Sequence, residues 1–248
     1  LTPNVTSILG PAQAAKSGGG DGVSLINTVN SITSIDLDLM APTPTVDGKG
    51  SHGGYCGPAV KPMALHMCAE IARNAGTAGL PMSAIGGISN WRDAAEFIAL
   101  GAGTTQVCTA VMHYGFKIVE DMIDGLSDWM DQKGYAKISD FQGMAVPNIT
   151  DWQNLNMNYE IVAEIEQTKC VKCGLCHIVC EDTSHQAISA EKIKGERRYE
   201  VIDKECVGCN LCMHVCPENC ITMRKVDNGK DYMNWTQDPR NPFSNAAE

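Results

Sequence analysis

Along roughly the first 135 residues, short apolar runs alternate with longer segments whose apolar positions recur every three or four residues, and glycines mark the joints. That alternation predicts strand–helix units and an α/β architecture. The runs 23–27, 81–85 and 105–109 are bounded by Gly or polar residues, as buried parallel strands are, and residues 1–2 read as the tail of an earlier strand. Val60, Met63, Ala64, Met67, Cys68 and Ile71 fall at helical spacing and form one apolar stripe. Val119, Met122, Ile123, Leu126 and Met130 form a second. A further helix is expected over 91–100, opened by the capping residues Ser89 and Asn90 and stopped by Gly101.

Four such units in roughly 130 residues make half of a (β/α)8 barrel, whose full form needs about 250 residues. A small doubly wound sheet is the competing geometry. Residues 135–165 lack a steady period and are expected to be a connecting segment wrapping the side of the barrel. The polar residues 229–248, with two prolines, read as an extended tail. The expected organisation is a partial TIM barrel over 1–134, a linker over 135–165, a cluster domain over 166–228 and the tail.

Composition changes the picture at the cysteines, because nine of the twelve lie between Cys170 and Cys220. Cys170, Cys173, Cys176 and Cys180 give C-x2-C-x2-C-x3-C, and Cys206, Cys209, Cys212 and Cys216 repeat it 36 residues later, closed by Pro217. This is the mark of a duplicated ferredoxin unit. Three closely spaced thiolates wrap one face of a cubane, while the fourth reaches the other cluster. Ligation is therefore expected to cross, with Cys170, Cys173, Cys176 and Cys216 on one [4Fe–4S] cluster and Cys206, Cys209, Cys212 and Cys180 on the second. Paired zinc sites would show separated C-x2-C pairs instead. Glu181 stands where a proline would follow Cys180, and Cys220 fits neither run, so it reads as a small buried hydrophobe. Residues 197–202 and 221–226 read as short strands covering the clusters. Paired clusters carry electrons and leave the chemistry to another site.

The net charge of −10 and pI near 5.0 argue against nucleic-acid or anionic-membrane surfaces, which need clustered Lys and Arg. With no basic, apolar leader pattern, a reducing, cytoplasmic location is expected, where dense cysteines are metal ligands. The N-x-[ST] matches at Asn4, Asn148 and Asn234 are then chance. The histidines at 52, 66, 113, 177, 185 and 214 follow no metal-ligand spacing and read as structural.

The segments LTPN, GGGDGVSLINT, GGYCGPAVKP, IGGI and QVCTA, in this order and followed by the two cysteine runs, resemble the C-terminal half of dihydropyrimidine dehydrogenases. The likeness is to the iron–sulfur and FMN subunit of the bacterial NAD-dependent form. It implies an FMN-binding barrel of the dihydroorotate dehydrogenase type, here about strands five to eight, followed by a ferredoxin domain. By that resemblance Asn27 and Thr28 contact a pyrimidine base, and an Asn amide suits the alternating C=O and N–H edge of uracil. Gly57, Gly86, Gly87, Cys108 and Thr109 would contact FMN, the last four around its phosphate. Asn4 would lie at a site-facing strand end, and Lys61 would lean toward the phosphate or lie solvated at a helix start. The family's general-acid cysteine is expected upstream of Leu1, and none of Cys56, Cys68 or Cys108 matches it. The chain is accordingly expected to be a piece of a longer protein, with weak FMN binding and no activity alone.

The implied reaction is reversible reduction of uracil or thymine at the 5,6 double bond. Electrons would pass from NADH through an FAD-bearing partner subunit and the clusters to FMN. No dinucleotide fingerprint, a G-x-G-x-x-G running from a strand into a helix, occurs, so NADH is expected on that partner. The rivals are a dihydroorotate-dehydrogenase-like FMN and iron–sulfur oxidoreductase, and an electron-carrying ferredoxin protein without catalysis.

Overall fold

The computed structural model describes residues 1–155, 159–183, 185–193 and 195–226. The predicted tail at 229–248, with Asn234, lies outside the described residues. The chain divides into two units, Leu1–Ile149 and Thr150–Glu248. Among the described residues no helix is long and apolar enough to cross a membrane.

The first unit runs α1 (Leu9–Ser17), β1 (Val23–Leu25), β2 (Val29–Ser31), β3 (Ser34–Asp36), β4 (Ala41–Thr43), β5 (Gly53–Tyr55), α2 (Lys61–Arg73), β6 (Met82–Ile85), α3 (Trp91–Ala99), β7 (Thr104–Gln106), α4 (Thr109–Tyr114) and α5 (Lys117–Lys133). β1, β6 and β7 form a parallel sheet in that order, with Val23 opposite Met82 and Ser83 opposite Thr104. The predicted strands fall on these three; β6 ends at Ile85 as expected, whereas β1 and β7 end two and three residues early, so that 26–28 and 107–108 leave the sheet as loops. Leu1 lies along the free side of β1, where its carbonyl accepts from the Asn27 N–H at 3.0 Å and its amino group donates to the Ser24 carbonyl.

The two faces of this sheet decide between the competing geometries. Val23, Leu25, Met82 and Ala84 are buried with Ala12 of α1, Cys68 and Ile71 of α2 and Phe97 of α3. On the other face, Gln106 Nε2 donates to both Ser24 Oγ and Ser83 Oγ at 2.8 Å, and Thr104 Oγ1 donates to Ser83 Oγ at 2.8 Å. A doubly wound sheet covers both faces with apolar residues. Here one face is apolar and covered and the other is a polar ladder, as in an arc of barrel wall. Among the described residues the arc stays open and closes no barrel. Burial pushes the Cys68 thiol up to about 12, so it is a neutral core residue.

α3 opens on a capping box: Asn90 Oδ1 accepts from the N–H groups of Arg92 and Asp93, and Asp93 Oδ2 accepts from those of Ser89 and Asn90. Lys61, at the start of α2, pairs with buried Asp93 at 2.6 Å and with Glu96 at 2.9 Å. The Asp93 carboxylate holds the Lys61 ammonium above its ordinary range. Lys61 therefore ties α2 to α3 through two carboxylates and does not lie free in solvent.

The structure departs from the sequence expectation in three places. Between β1 and α2 the chain makes two antiparallel pairs, β2 with β5 and β3 with β4, whose three-residue strands are too short to show a period. In α5, Met122 is buried and Leu126 and Met130 pack inward, but Val119 and Ile123 face solvent. Residues 135–165 are divided between the units in place of forming one connection. Phe141, 2% exposed, stacks on Tyr135 at 5.4 Å and meets Trp129 edge-on at 5.1 Å. The N–H groups of Gly143 and Ala145 donate to the carbonyls of Ile98 and Ala99 at 3.0 Å, binding this stretch to α3. Aromatic packing and short turns hold it, and neither leaves a periodic trace.

The second unit begins with β8 (Glu160–Ile165), within the expected linker. It continues with α6 (Leu175–Glu181), β9 (Ile188–Ile193), β10 (Glu196–Val201), α7 (Leu211–His214) and β11 (Ile221–Val226). β8 pairs antiparallel with β11, and β9 with β10. Each cysteine run thus lies between strands, with its third and fourth cysteines on or beside a short helix.

Asp93→Ala removes one arm of the capping box and the buried partner of Lys61. It is expected to lower unfolding free energy by about 1–2 kcal/mol, read from urea unfolding followed by the fluorescence of Trp91 and its neighbours. No change in the midpoint would contradict this account of the α2–α3 junction.

Candidate functional site

The loops that leave the parallel strands converge on one cavity of about 220 Å³. Ile26, Asn27 and Thr28 follow β1, Gly86 and Gly87 follow β6, and Cys108 and Thr109 follow β7, with Cys56 and Gly57 beside them. Carboxyl ends of parallel strands are where α/β folds place ligands. All seven residues expected to hold base or flavin line this cavity.

The glycine pair is demanded by the fold. Gly87 has φ +76°, and a Cβ there would lie 2.8 Å from the Gly57 carbonyl oxygen and 3.0 Å from the Lys61 nitrogen. A Cβ on Gly86 would lie 2.7 Å from the Ala64 Cβ. The loop therefore passes hard against the start of α2, and a bulkier residue would fill the cavity floor. Thr28 donates its N–H to Asn27 Oδ1 at 2.8 Å, which fixes the carboxamide while its N–H2 group remains available. Asn4 is not among the lining residues. Its amide donates to the Thr28 carbonyl at 3.0 Å and accepts from the Asn30 N–H at 2.8 Å, pinning the loop from behind. Cys56 accepts from Thr109 Oγ1 at 3.4 Å and has that hydroxyl as its described partner.

Ile26, Val60, Ile85, Ile88, Ser89 and Gln106 also line the cavity without having been singled out. For Gln106 a signal existed, since two-residue alternation puts it on the same face as Thr104 and leads to Cys108. The cavity is smaller than the roughly 300–1,000 Å³ of most small-molecule sites. The residues therefore fit part of a flavin mononucleotide. Backbone at Gly86 and Gly87 and the Thr109 hydroxyl could hold its phosphate, and Ile26, Ile85 and Ile88 supply apolar wall.

In the second unit the cysteines surround two separate cavities. One is lined by Cys170, Cys173, Cys176 and Cys216, the other by Cys206, Cys209, Cys212 and Cys180. Each set takes three thiols from one run and the fourth from the other, the crossed arrangement that the spacing predicts. Four thiols to a cavity, three from one run and one from the other, is the donor set of a multi-iron cube.

The duplication extends to the backbone. Lys172 and Gly208, 36 residues apart, have φ +61° and +69°, and Gly174 and Asn210, at the same offset, have φ +82° and +70°. Left-handed residues at matching places bend each run around its cavity. Where the runs differ in sequence they differ in shape: α6 reaches Glu181, whereas α7 stops at His214, because Pro217 disfavours helix before it. The Ala187 N–H donates to Cys180 Sγ at 3.1 Å and the Ala163 N–H to Cys206 Sγ at 3.4 Å. Burial pushes the Cys176 thiol up to about 11 and raises Cys212 as well, so metal must displace their protons. Cys220 is buried as expected but is more than filler. It lines the first cavity with its Sγ 3.4 Å from Cys216 Sγ, and burial pushes its thiol up to about 12. His177 Nδ1 lies 2.6 Å from the Ile188 carbonyl oxygen, a structural contact.

Residues 1–130 match the family model for dihydroorotate dehydrogenase, and residues 163–223 match that for the 4Fe-4S dicluster domain. The chain is 45% identical over 188 residues to the NAD-dependent dihydropyrimidine dehydrogenase subunit PreA of Escherichia coli, covering 76% of this chain and 46% of the relative. It is 36% identical over 178 residues to the chloroplastic dihydropyrimidine dehydrogenase (NADP(+)) of Arabidopsis thaliana, covering 71% and 41%. With the dihydroorotate dehydrogenase B (NAD(+)) catalytic subunit of Pyrococcus horikoshii it shares 40% over 146 residues, covering 59% and 46%. The chain thus spans less than half the length of these relatives. The resemblance to dihydropyrimidine dehydrogenases read from the motifs is shown by these matches.

Gly87→Ala is expected to lower stability of the first unit by about 1–3 kcal/mol, the usual cost of a forced backbone conformation, read as a drop in its thermal midpoint. Crossing is tested by pairing substitutions. Cys180→Ala with Cys209→Ala removes ligands from one cluster if ligation crosses, so half the iron and one electron-paramagnetic signal should survive. Damage to both signals would contradict crossing.

Proposed function

The chain belongs to the dihydroorotate dehydrogenase family, and from that premise we propose that it is part of an oxidoreductase that reduces the 5,6 double bond of uracil or thymine. The crossed cysteine cavities on the same chain as the strand-end pocket carry this reading, because they supply an electron route where a flavin site needs one. FMN, when bound, supplies hydride transfer and exchange between one- and two-electron chemistry.

The chain's residues do the placing. Asn27, held by Thr28, presents amide donors to a pyrimidine carbonyl, and Asn4 keeps that loop in register from behind. Gly86 and Gly87 admit the phosphate by having no side chain, with the Thr109 hydroxyl beside them. None of the described residues is assigned the role of proton donor to the base, and Cys56, bonded to Thr109, is not given it. The eight crossed cysteines hold two [4Fe–4S] clusters that carry single electrons. NADH binding and FAD are assigned to a partner subunit, because the G-x-G-x-x-G at 48–53 lies between β4 and the start of β5 and opens no helix, as a dinucleotide fingerprint must. A reducing, cytoplasmic setting suits free thiols at this density.

The match to dihydroorotate dehydrogenases supports a second reading, in which the substrate is dihydroorotate. The aligned lengths favour the first. The 146 residues shared with the Pyrococcus protein would fit within the first unit of 149, whereas the 188 shared with the Escherichia coli subunit must extend into the cluster unit. An electron carrier without catalysis is the third possibility, and a pocket that places seven expected residues together speaks against it.

The test is to tag the chain in its own cells and purify it anaerobically with whatever it assembles with. FMN and FAD should both be extractable, and NADH should drive loss of uracil or thymine absorbance. Conversion of dihydroorotate with pyrimidines untouched would replace the first reading by the second. Iron without any flavin would leave the carrier.

A further inference from the structure

We propose that the Cys220 thiol hydrogen-bonds the cluster held by Cys170, Cys173, Cys176 and Cys216 through the Cys216 sulfur, and raises the reduction potential of that cluster alone. The proposal rests on the two-cluster reading above. Cys220 is 4% exposed, lines the same cavity as those four cysteines and places its Sγ 3.4 Å from Cys216 Sγ, within sulfur hydrogen-bonding range. Between two free thiols either sulfur could donate. Once Cys216 is a thiolate on iron it has no proton, so Cys220 must be the donor. The thiol is also held in place: the Cys220 carbonyl accepts from the Glu166 N–H at 2.8 Å, and β11 begins at the next residue, paired to β8.

The effect on potential follows from charge. Reduction adds an electron to the cube and its thiolates, and a donor pointed at one of those sulfurs stabilises the more negative state more strongly. Hydrogen bonds to ligand sulfurs, burial and net charge are the means by which a protein sets such potentials. The described donors to the other cluster's sulfurs are backbone N–H groups, from Ala187 to Cys180, from Ala163 to Cys206 and from Met213 to Cys212. At the 36-residue offset from Cys220 stands Ser184, which lies outside the described residues. Duplication has thus left one cavity with an extra thiol that the spacing of ligands does not explain. Neither cluster needs Cys220 as a ligand, because each already has four thiols.

The experiment is a potentiometric titration, monitored by electron paramagnetic resonance, of the full chain carrying both clusters, with Cys220→Ala and Cys220→Ser beside it. In Cys220→Ala one cluster should become harder to reduce, its reduced-to-oxidised ratio at a fixed potential falling about fivefold, the weight of one hydrogen bond. The other cluster should not move, and both should keep their iron. Cys220→Ser, which restores an O–H donor, should return the midpoint toward that of the unaltered chain. The proposal is overturned if Cys220→Ala leaves both midpoints in place, if both move together, if serine behaves as alanine does, or if either variant loses a cluster's iron. Failure of the unaltered chain to bind iron and sulfide at all would instead overturn the two-cluster reading on which the proposal stands.

Discussion

Two loops in the second unit each give three thiols to one cavity and lend the fourth to the other, and this exchange constrains nearly everything around it. Neither run can hold its cavity without its partner, so the two must stay packed together. The apolar material available for that is small: Ala163, Ile188, Tyr199 and Ile221 are buried with Cys176, Cys212 and Cys220. The cysteines are themselves part of the core. A unit of this size, with so little apolar area to bury, is one in which metal binding and folding are expected to be the same event. The left-handed residues at 172, 174, 208 and 210 are the backbone counterpart of that constraint, since a chain must turn sharply to bring three thiols round one face.

The first unit obeys a different rule. Its sheet buries one face against helices and leaves the other as a ladder of hydroxyls and a carboxamide, so strand ends, not strand middles, are where a ligand can be met. The pocket forms because α2 starts so close to the loop after β6 that glycine is required there. The buried Asp93 then fixes α3 and, through Lys61, the start of α2. Pocket geometry and local stability therefore share residues, and changes at this junction should be felt in both.

Legibility in the sequence followed the range of the interaction. Cysteine spacing, the Asn90 cap and the stripe through Ala64, Cys68 and Ile71 are local patterns, and each was readable. Cys180 and Cys216 line the cavity of the other run, a placement that the spacing suggests because it leaves the fourth thiol facing away from its own run. The strands between β1 and α2 were hidden because three residues cannot show an alternation. The role of 135–149 was hidden because Tyr135 and Phe141 join the core through aromatic packing with Trp129, three side chains without a common period. Lys61 read as a phosphate contact or a solvated residue because its two carboxylate partners lie more than thirty positions away in sequence. Cys220 read as filler for the same reason: its contact with Cys216 depends on where β11 begins, not on any spacing rule.

The central claim is that the eight crossed thiols cage two iron–sulfur cubes. Metal and acid-labile sulfide analysis of anaerobically purified chain tests it most directly, with Mössbauer spectroscopy to identify the iron. The account predicts iron and sulfide in equal amounts and the spectrum of [4Fe–4S] centres. Zinc in place of iron, with no labile sulfide, would contradict it.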